Sequence, residues 1–292
     1  MNVAILSIRI LERIAPRPLK RLFAWCVARA GYYLLHTHKL IALHNLSRAF
    51  PDKSTGELLK IIKETYLSFV LTFVEFPSIT RLNKKNLHRH VRVKGLEHYE
   101  RALGEGRGIL LFSGHYGNWE FGNAALAVLS RAPHFMARRL DSAFLEEFST
   151  SLRSALGIGN LHKANAMRMV LPLLRNGEAV ILLIDQNVAA REGVFIDFFG
   201  RPACTTDGLA QMALRTEAPV IPAFIVRKSD GRYRLIIGEE VEMVRTGDRD
   251  DDVRVNTQKF TGVIEDMIRQ YPDQWLWLHN RWKTKVHQLR KR

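Results

Sequence analysis

The sequence predicts an α/β protein with a mostly parallel central sheet flanked by helices and a helical segment at its N-terminus. From about residue 91 onward, short apolar runs alternate with stretches of helical periodicity, a pattern typical of parallel strands joined by helices. Before that point the chain shows helical spacing only. We therefore assign residues 1–75 to an N-terminal helical, membrane-associated segment and residues 76–292 to the α/β part, the two forming one continuous domain.

The N-terminal segment divides into several helices. Pro16 and Pro18 separate a first short helix from a second over residues 19–35, and a third spans residues 54–74. Ser54 and Glu57 resemble a capping box at the start of the third helix. The apolar stretch over residues 22–35 is shorter than a membrane span and contains Arg29. With its basic flank it suggests a helix that lies on a membrane surface, or equally a domain helix with a solvated basic side.

The α/β part contains four apolar runs that we interpret as strands, over residues 108–113, 134–137, 179–184 and 220–226. Helical patterns between and after them span residues 119–130, 141–156, 164–175 and 207–216. Asp141 and Asp207 stand where helix N-caps belong. Asp230-Gly231 predicts a hairpin that places two antiparallel strands at the sheet edge. A late helix follows around residues 260–271, and the chain ends in a basic tail over residues 283–292.

The composition limits the class of partner. The chain has 292 residues, 47% of them hydrophobic, which is enough to bury a core. Its 44 Lys and Arg exceed its 29 Asp and Glu, for a net charge of +15. Such an excess indicates nucleic acid, an anionic membrane surface or an acidic protein. The charges are dispersed and no nucleic-acid motif is present, which disfavours nucleic acid. Cys26 and Cys204 make no disulfide framework, fit a reducing compartment, and are expected to be buried.

The segment Gly114–Glu120 is the strongest functional signal. It follows the apolar run over residues 109–112 and precedes a helix, so it occupies the carboxyl end of a buried strand, where α/β sheets bind ligands. His115 suits proton transfer near neutral pH. Glu120, five positions on, is expected to hold one imidazole nitrogen and so make the other a better base. No serine elbow is present, so the nucleophile would be a substrate hydroxyl. The alternative is a histidine whose hydrogen bonds are satisfied within the loop.

At these residues the sequence resembles the bacterial lipid A biosynthesis acyltransferases of the glycerolipid acyltransferase superfamily. His115-Tyr116-Gly117-Asn118-Trp119-Glu120 is similar to their His-x4-Asp/Glu motif. Further similar blocks follow in order at residues 138–141 (Arg-Arg-Leu-Asp), 185–187 (Asp-Gln-Asn), 194–200 (Val-Phe-Ile-Asp-Phe-Phe-Gly) and 274–283 (Gln-Trp-Leu-Trp-Leu-His-Asn-Arg-Trp-Lys). The glutamate of the glycerolipid relatives' Phe-Pro-Glu-Gly block is missing after Phe199, which favours the lipid A branch over a glycerol-phosphate acceptor.

The resemblance implies an acyltransferase without metal or cofactor. The donor would be an acyl carrier protein thioester, and the acceptor a phosphorylated glucosamine disaccharide lipid. The enzyme would lie on the cytoplasmic face of the inner membrane, bound to its anionic surface. His115 and Glu120 would be catalytic, and the Asn118 amide or backbone N–H groups at residues 117–119 would stabilise an oxyanion. The expected substrate-binding side chains are Asn118, Arg138, Arg139, Asp185, Gln186 and Arg201.

Three alternatives remain open at this point. A related enzyme would acylate another glycolipid or an aminolipid. A thioesterase would use water as the nucleophile with the same His115 and Glu120. A nucleic-acid-binding module is suggested only by the net charge of +15.

Overall fold

The computed structural model describes residues 15–162 and 166–287. The helices are α1 (Arg17–Leu34), α2 (His36–Ala49), α3 (Thr55–Glu75), α4 (Leu96–Gly104), α5 (Trp119–Leu129), α6 (Ala143–Ser154), α7 (Ala166–Arg175), α8 (Gly208–Thr216) and α9 (Arg249–Gln270). The strands are β1 (Val91–Lys94), β2 (Ile109–Ser113), β3 (His134–Ala137), β4 (Gly159–His162), β5 (Ala179–Leu183), β6 (Gly193–Phe198), β7 (Arg201–Thr206), β8 (Val220–Arg227) and β9 (Tyr233–Ile237). The predicted helix before Pro16 lies outside the described residues.

The central sheet has seven strands in the order β1-β9-β8-β2-β5-β3-β4. Every neighbouring pair is parallel except β8 and β9, which the hairpin at Gly231 makes antiparallel. The predicted mostly parallel sheet flanked by helices is confirmed. The predicted hairpin forms, but it does not end the sheet, because β1 pairs with β9 and becomes the edge strand. β6 and β7 form a separate antiparallel pair.

The core occupies both faces of the sheet, and β2 shows how. Its five residues are all buried. Leu110 and Phe112 belong to the apolar cluster on one face, and Ile109 and Leu111 belong to the cluster on the other. Because alternate residues of a strand point to opposite faces, a strand covered on both sides must be apolar throughout. This requirement produces the continuous apolar run that marks β2 in the sequence.

The N-terminal helices are part of the same packed body. Leu46 of α2 and Ile62 and Tyr66 of α3 belong to the apolar cluster that includes Leu110 of β2. The capping box at α3 is confirmed, because the Glu57 backbone N–H donates to Ser54 Oγ and the Ser54 N–H donates to Glu57 Oε2 at 2.9 Å. Helix α2 was not predicted. Its apolar and polar residues are only weakly separated, since Asn45 is buried and Leu40 is exposed, and it begins directly after α1.

Two smaller expectations need correction. Ser142, one residue after Asp141, caps α6 by accepting a hydrogen bond from the Leu145 backbone N–H. Asp207 does occupy the N-cap position of α8. Cys204 is buried as expected, but Cys26 is exposed on α1. The exposure of Cys26 follows from its position among the outward-facing residues of that helix.

Helix α1 exposes many large apolar side chains. Among the described residues, ten large apolar side chains are exposed on α1, α2, α3 and the link between α1 and α2: Leu19, Leu22, Phe23, Trp25, Val27, Tyr33, Leu34, Leu35, Leu40 and Phe73. Arg17 and Arg21 are exposed on the same helix. Across the described part of the chain, we find no helix with the length and hydropathy needed to span a bilayer.

Candidate active site

The loop between β2 and α5 holds His115 in a fixed path. Gly117 has φ +56°, and a Cβ there would lie 2.0 Å from the carbonyl oxygen of Ile225, so only glycine fits. A Cβ at Gly114 would lie 3.0 Å from Asp185 Oδ2. The two glycines therefore let the loop pass close to β8 on one side and to the Asp185 carboxylate on the other.

Asp185 is the carboxylate that contacts His115. His115 Nδ1 lies 2.8 Å from Asp185 Oδ1, and the His115 backbone N–H donates to Asp185 Oδ2 at 2.8 Å. The strand register explains this pairing: Ser113 lies beside Leu183, so the residues two positions farther along each strand meet at the carboxyl edge. Asp185 was predicted to bind substrate, and the structure places its carboxylate against Nδ1 of His115, the candidate base.

Asp185 is held ionised by its surroundings. Burial opposes its ionisation, but the adjacent His115 and the hydrogen bonds from the His115 ring, the His115 backbone and the Trp275 indole together lower the pKa of Asp185 to about 2. With the carboxylate accepting from Nδ1–H, Nε2 is the nitrogen that can accept a proton. The Gln186 amide nitrogen lies 3.4 Å from Nε2, so Gln186 is beside the reactive nitrogen, and the Trp119 ring packs edge-on against the imidazole.

Glu120 does not make the contact that the sequence predicted. Its carboxylate pairs with Arg153, at 2.9 Å from Nε and 2.5 Å from Nη2, and accepts from the Trp119 indole at 3.2 Å. Arg153 also stacks over Phe135. The geometric expectation was wrong because Asp185 arrives from the neighbouring strand, whereas Glu120 is carried by the first turn of α5 toward α6. A catalytic role for Glu120 stays a prediction.

Asn118 has a structural environment. It is fully buried and caps α5, accepting from the Phe121 backbone N–H at 3.1 Å. Its amide donates to the Tyr233 hydroxyl at 3.1 Å and approaches Glu75 at 3.4 Å. The predicted use of this amide as an oxyanion donor does not match the structure, because burial and these partners occupy it. The Gly117 N–H is also used, since it donates to the Gln274 carbonyl at 2.9 Å.

The three predicted arginines lie on the surface. Arg138 follows β3, its side chain is 77% exposed, and it pairs with Asp141 at 3.0 Å. Arg139 is exposed next to it, and Arg201 is exposed at the start of β7. The structure thus brings Asp185 and Gln186 to His115 and leaves the arginines solvated. Their proposed contact with substrate stays a prediction.

A C-terminal segment over residues 274–284, the strap, packs against the His115 loop and Asp185. The Leu276 N–H donates to the His115 carbonyl at 3.1 Å, and the Trp275 indole N–H donates to Asp185 Oδ2 at 2.8 Å. His279 Nε2 accepts from the Asn187 N–H at 3.0 Å, and burial lowers the pKa of His279 to about 4. Sequence reasoning treated Trp275 as a packing residue and missed its link to Asp185.

Arg281 and Arg153 were also missed. Arg281 is fully buried, donates to the Cys204 carbonyl at 2.9 Å and to the Thr205 hydroxyl, and has its pKa lowered to about 10 by burial. Neither arginine follows an apolar strand, so no local pattern indicates its position. Within residues 15–162 and 166–287, no group of three or more His, Cys, Asp or Glu side chains is arranged to hold a metal ion.

Comparison with known proteins gives a consistent family. The profile described as bacterial lipid A biosynthesis acyltransferase matches residues 3–284. The chain is 27% identical over 253 residues to the lipid A biosynthesis palmitoleoyltransferase of Escherichia coli K12, covering 86% of this chain and 80% of that protein. It is 27% identical over 248 residues to the lauroyltransferase of the same organism, covering 84% and 79%. It is 25% identical over 273 residues to the phosphatidylinositol mannoside acyltransferase of Mycobacterium tuberculosis H37Rv, covering 90% and 83%.

Proposed function

Because the chain belongs to the bacterial lipid A biosynthesis acyltransferase family and is therefore an acyltransferase, we propose that it transfers a fatty acyl group from an acyl carrier protein thioester to a hydroxyl of a phosphorylated lipid A precursor. The observation that carries this proposal is the His115–Asp185 pair at the carboxyl end of β2, with Nδ1 and Oδ1 2.8 Å apart. A histidine oriented by a buried carboxylate is a general base for a hydroxyl nucleophile.

The reaction proceeds without a covalent enzyme intermediate. His115 Nε2 removes the proton of the acceptor hydroxyl as its oxygen attacks the thioester carbonyl carbon. Asp185 stabilises the imidazolium that forms. The tetrahedral intermediate collapses, the carbon–sulfur bond breaks, and the leaving thiolate takes the proton from His115. With the Gly117 N–H engaged by Gln274, the backbone N–H groups of Asn118 and Trp119 are the proposed oxyanion donors.

The acceptor distinguishes this proposal from its alternatives. A phosphatidylinositol mannoside acyltransferase is among the relatives, so another glycolipid acceptor is the second candidate. The purified protein should be given acyl carrier thioester with a lipid A precursor, with phosphatidylinositol mannoside, or with water alone, and the products identified by mass spectrometry. Transfer to the lipid A precursor supports the proposal. Transfer to the mannoside alone, or release of free fatty acid in all three reactions, contradicts it.

We also propose that the enzyme lies on the anionic cytoplasmic face of the inner membrane. The exposed apolar residues of α1 lie next to Arg17 and Arg21 on the same helix, a combination that binds the interface of an anionic bilayer. Phe23→Ser with Trp25→Ser should weaken sedimentation with anionic vesicles. Leu145→Ser, on the exposed side of α6 at the other face of the sheet, should not. Equal binding by the three proteins would contradict this assignment.

A further inference from the structure

Trp275 is a buried aromatic residue that contacts the His115–Asp185 pair, the candidate catalytic dyad. Its side chain is 1% exposed and packs against Phe198 and Trp277. Its indole N–H donates to Asp185 Oδ2 at 2.8 Å, while Oδ1 contacts His115 Nδ1. Oδ2 therefore accepts from the Trp275 indole as well as from the His115 backbone N–H, while Oδ1 faces the imidazole, and these contacts together fix the plane of the carboxylate.

The backbone around Trp275 is tied to the loop that carries His115. Tyr116 and Trp275 form an antiparallel bridge. The Gly117 N–H donates to the Gln274 carbonyl at 2.9 Å, and the Leu276 N–H donates to the His115 carbonyl at 3.1 Å. The strap thus fixes the main chain of His115 and, through one side chain, the carboxylate that orients its ring.

We propose that Trp275 is a positioning residue for acyl transfer, which acts on the His115 ring through Asp185 and the backbone bridge. The inference rests on the proposed function. It differs from a packing role because packing needs only the bulk of the ring, whereas positioning needs the N–H. A hydrogen bond to an ionised carboxylate is stronger than one between neutral groups. A substitution that removes the N–H but keeps an aromatic ring should therefore have a measurable effect.

Trp277 provides a matched control. It is fully buried, lies against Trp275 with ring centroids 4.6 Å apart, and donates its indole N–H to the Pro272 carbonyl instead of to a carboxylate. Trp275→Phe and Trp277→Phe therefore remove the same atoms from the same aromatic cluster. Each loses one indole hydrogen bond, but only Trp275→Phe loses a contact with the His115–Asp185 pair.

Steady-state kinetics of the two full-length variants tests the proposal. We expect Trp275→Phe to lower kcat by about tenfold, with the KM values for both substrates nearly unchanged. We also expect the acid limb of its pH–rate profile to move to higher pH. A carboxylate with one hydrogen-bond donor fewer binds a proton more readily, so the coupled His115–Asp185 pair takes up its first proton at a higher pH. Trp277→Phe should keep the wild-type kcat and pH profile at a similar loss of thermal stability. Equal kinetics for the two variants would overturn the proposal.

A second measurement is independent of turnover. In protein labelled with ¹⁵N-histidine, the His115 ring signals are identified by their loss in His115→Gln. We expect wild type and Trp277→Phe to show one fixed tautomer with a protonated, slowly exchanging Nδ1, and Trp275→Phe to show fast exchange at Nδ1. If wild type fails to transfer acyl groups but this difference appears, the proposed function fails and the positioning role stands. If all three spectra agree, the positioning role is wrong.

Discussion

Two buried carboxylates near the His115 loop, Asp185 and Glu120, differ in one respect that decides their chemistry. Asp185 is 3% exposed and pairs with a histidine, whereas Glu120 is 5% exposed and pairs with Arg153. A histidine gains and loses a proton near neutral pH, but arginine stays charged. The Asp185 pair can therefore take part in proton transfer through its histidine, while the Glu120 pair joins the first turn of α5 to α6.

The comparison also shows how sequence spacing misleads. Glu120 lies five positions from His115, and Asp185 lies 70 positions away. The nearer carboxylate was expected to orient the histidine, but neighbouring parallel strands bring the distant one closer. Adjacent strand ends at one edge of a sheet are a better guide to contacts than short separation along the chain.

The largest expected effect is the loss of transfer when the Asp185 pair is broken. His115→Ala and Asp185→Asn should each lower the initial rate by about 10³-fold or more, because one removes the base and the other its orienting charge. Rates should be measured with carrier thioester and lipid acceptor, and folding checked by circular dichroism. A folded His115→Ala protein with near-normal activity would refute the mechanism.

Breaking the Glu120 pair should act first on stability. Glu120→Gln leaves the Arg153 charge buried without a counter-charge, which costs about 3–5 kcal/mol of unfolding free energy. Glu120→Gln combined with Arg153→Met should recover most of that loss, as measured by denaturant unfolding. If transfer recovers together with stability, Glu120 acts through Arg153. A stable but inactive double variant would instead support the direct catalytic role that the sequence predicted.

His279 sharpens the comparison because it is a second histidine near Asp185 that is held neutral. Burial, only partly offset by the Asp185 charge, lowers the pKa of His279 from 6.5 to about 4. The unfolded chain therefore binds a proton that the folded protein excludes, so stability falls as pH drops from 6.5 through about 4, by at most about 1.4 kcal/mol per pH unit.

The measurement is the unfolding free energy of wild type and His279→Asn across this range. We expect the variant to lose this part of the pH dependence, and the exposed His88→Asn to retain it. Asp185 acts in a separate window, because its stabilising effect is lost only as pH falls from 3.8 through about 2. Parallel curves for His279→Asn and wild type would show that His279 does not cause the slope.

Arg138 gives the smallest expected effect, because its pair with Asp141 is solvated, unlike the Glu120 pair. Arg138→Ala should leave the unfolding free energy nearly unchanged. If Arg138 grips a phosphate of the acceptor, its loss should raise the KM for the lipid more than the KM for the carrier, and Arg138→Lys should not fully restore it, because lysine lacks the planar fork. A rise in the carrier KM alone would place Arg138 on a carrier-docking surface.

The sequence by itself determined strands β2, β3, β5, β8 and β9, most helices and the position of His115. Buried parallel strands require continuous apolar runs, and Gly114 and Gly117 mark the turn after one of them. Strands β1 and β4 escaped prediction because both are short, contain polar residues and lie at the edges of the central sheet. Strands β6 and β7, which form a separate antiparallel pair, were not predicted either.

Only the tertiary structure decided which groups surround His115. The order β2-β5 brings Asp185 to it, and the bridge between Tyr116 and Trp275 brings the C-terminal strap. No local sequence pattern predicts either pairing, because hydrophobic periodicity identifies a strand but does not indicate which strand it pairs with. The chemistry of the site therefore depends on strand order, which long-range packing of the whole chain sets.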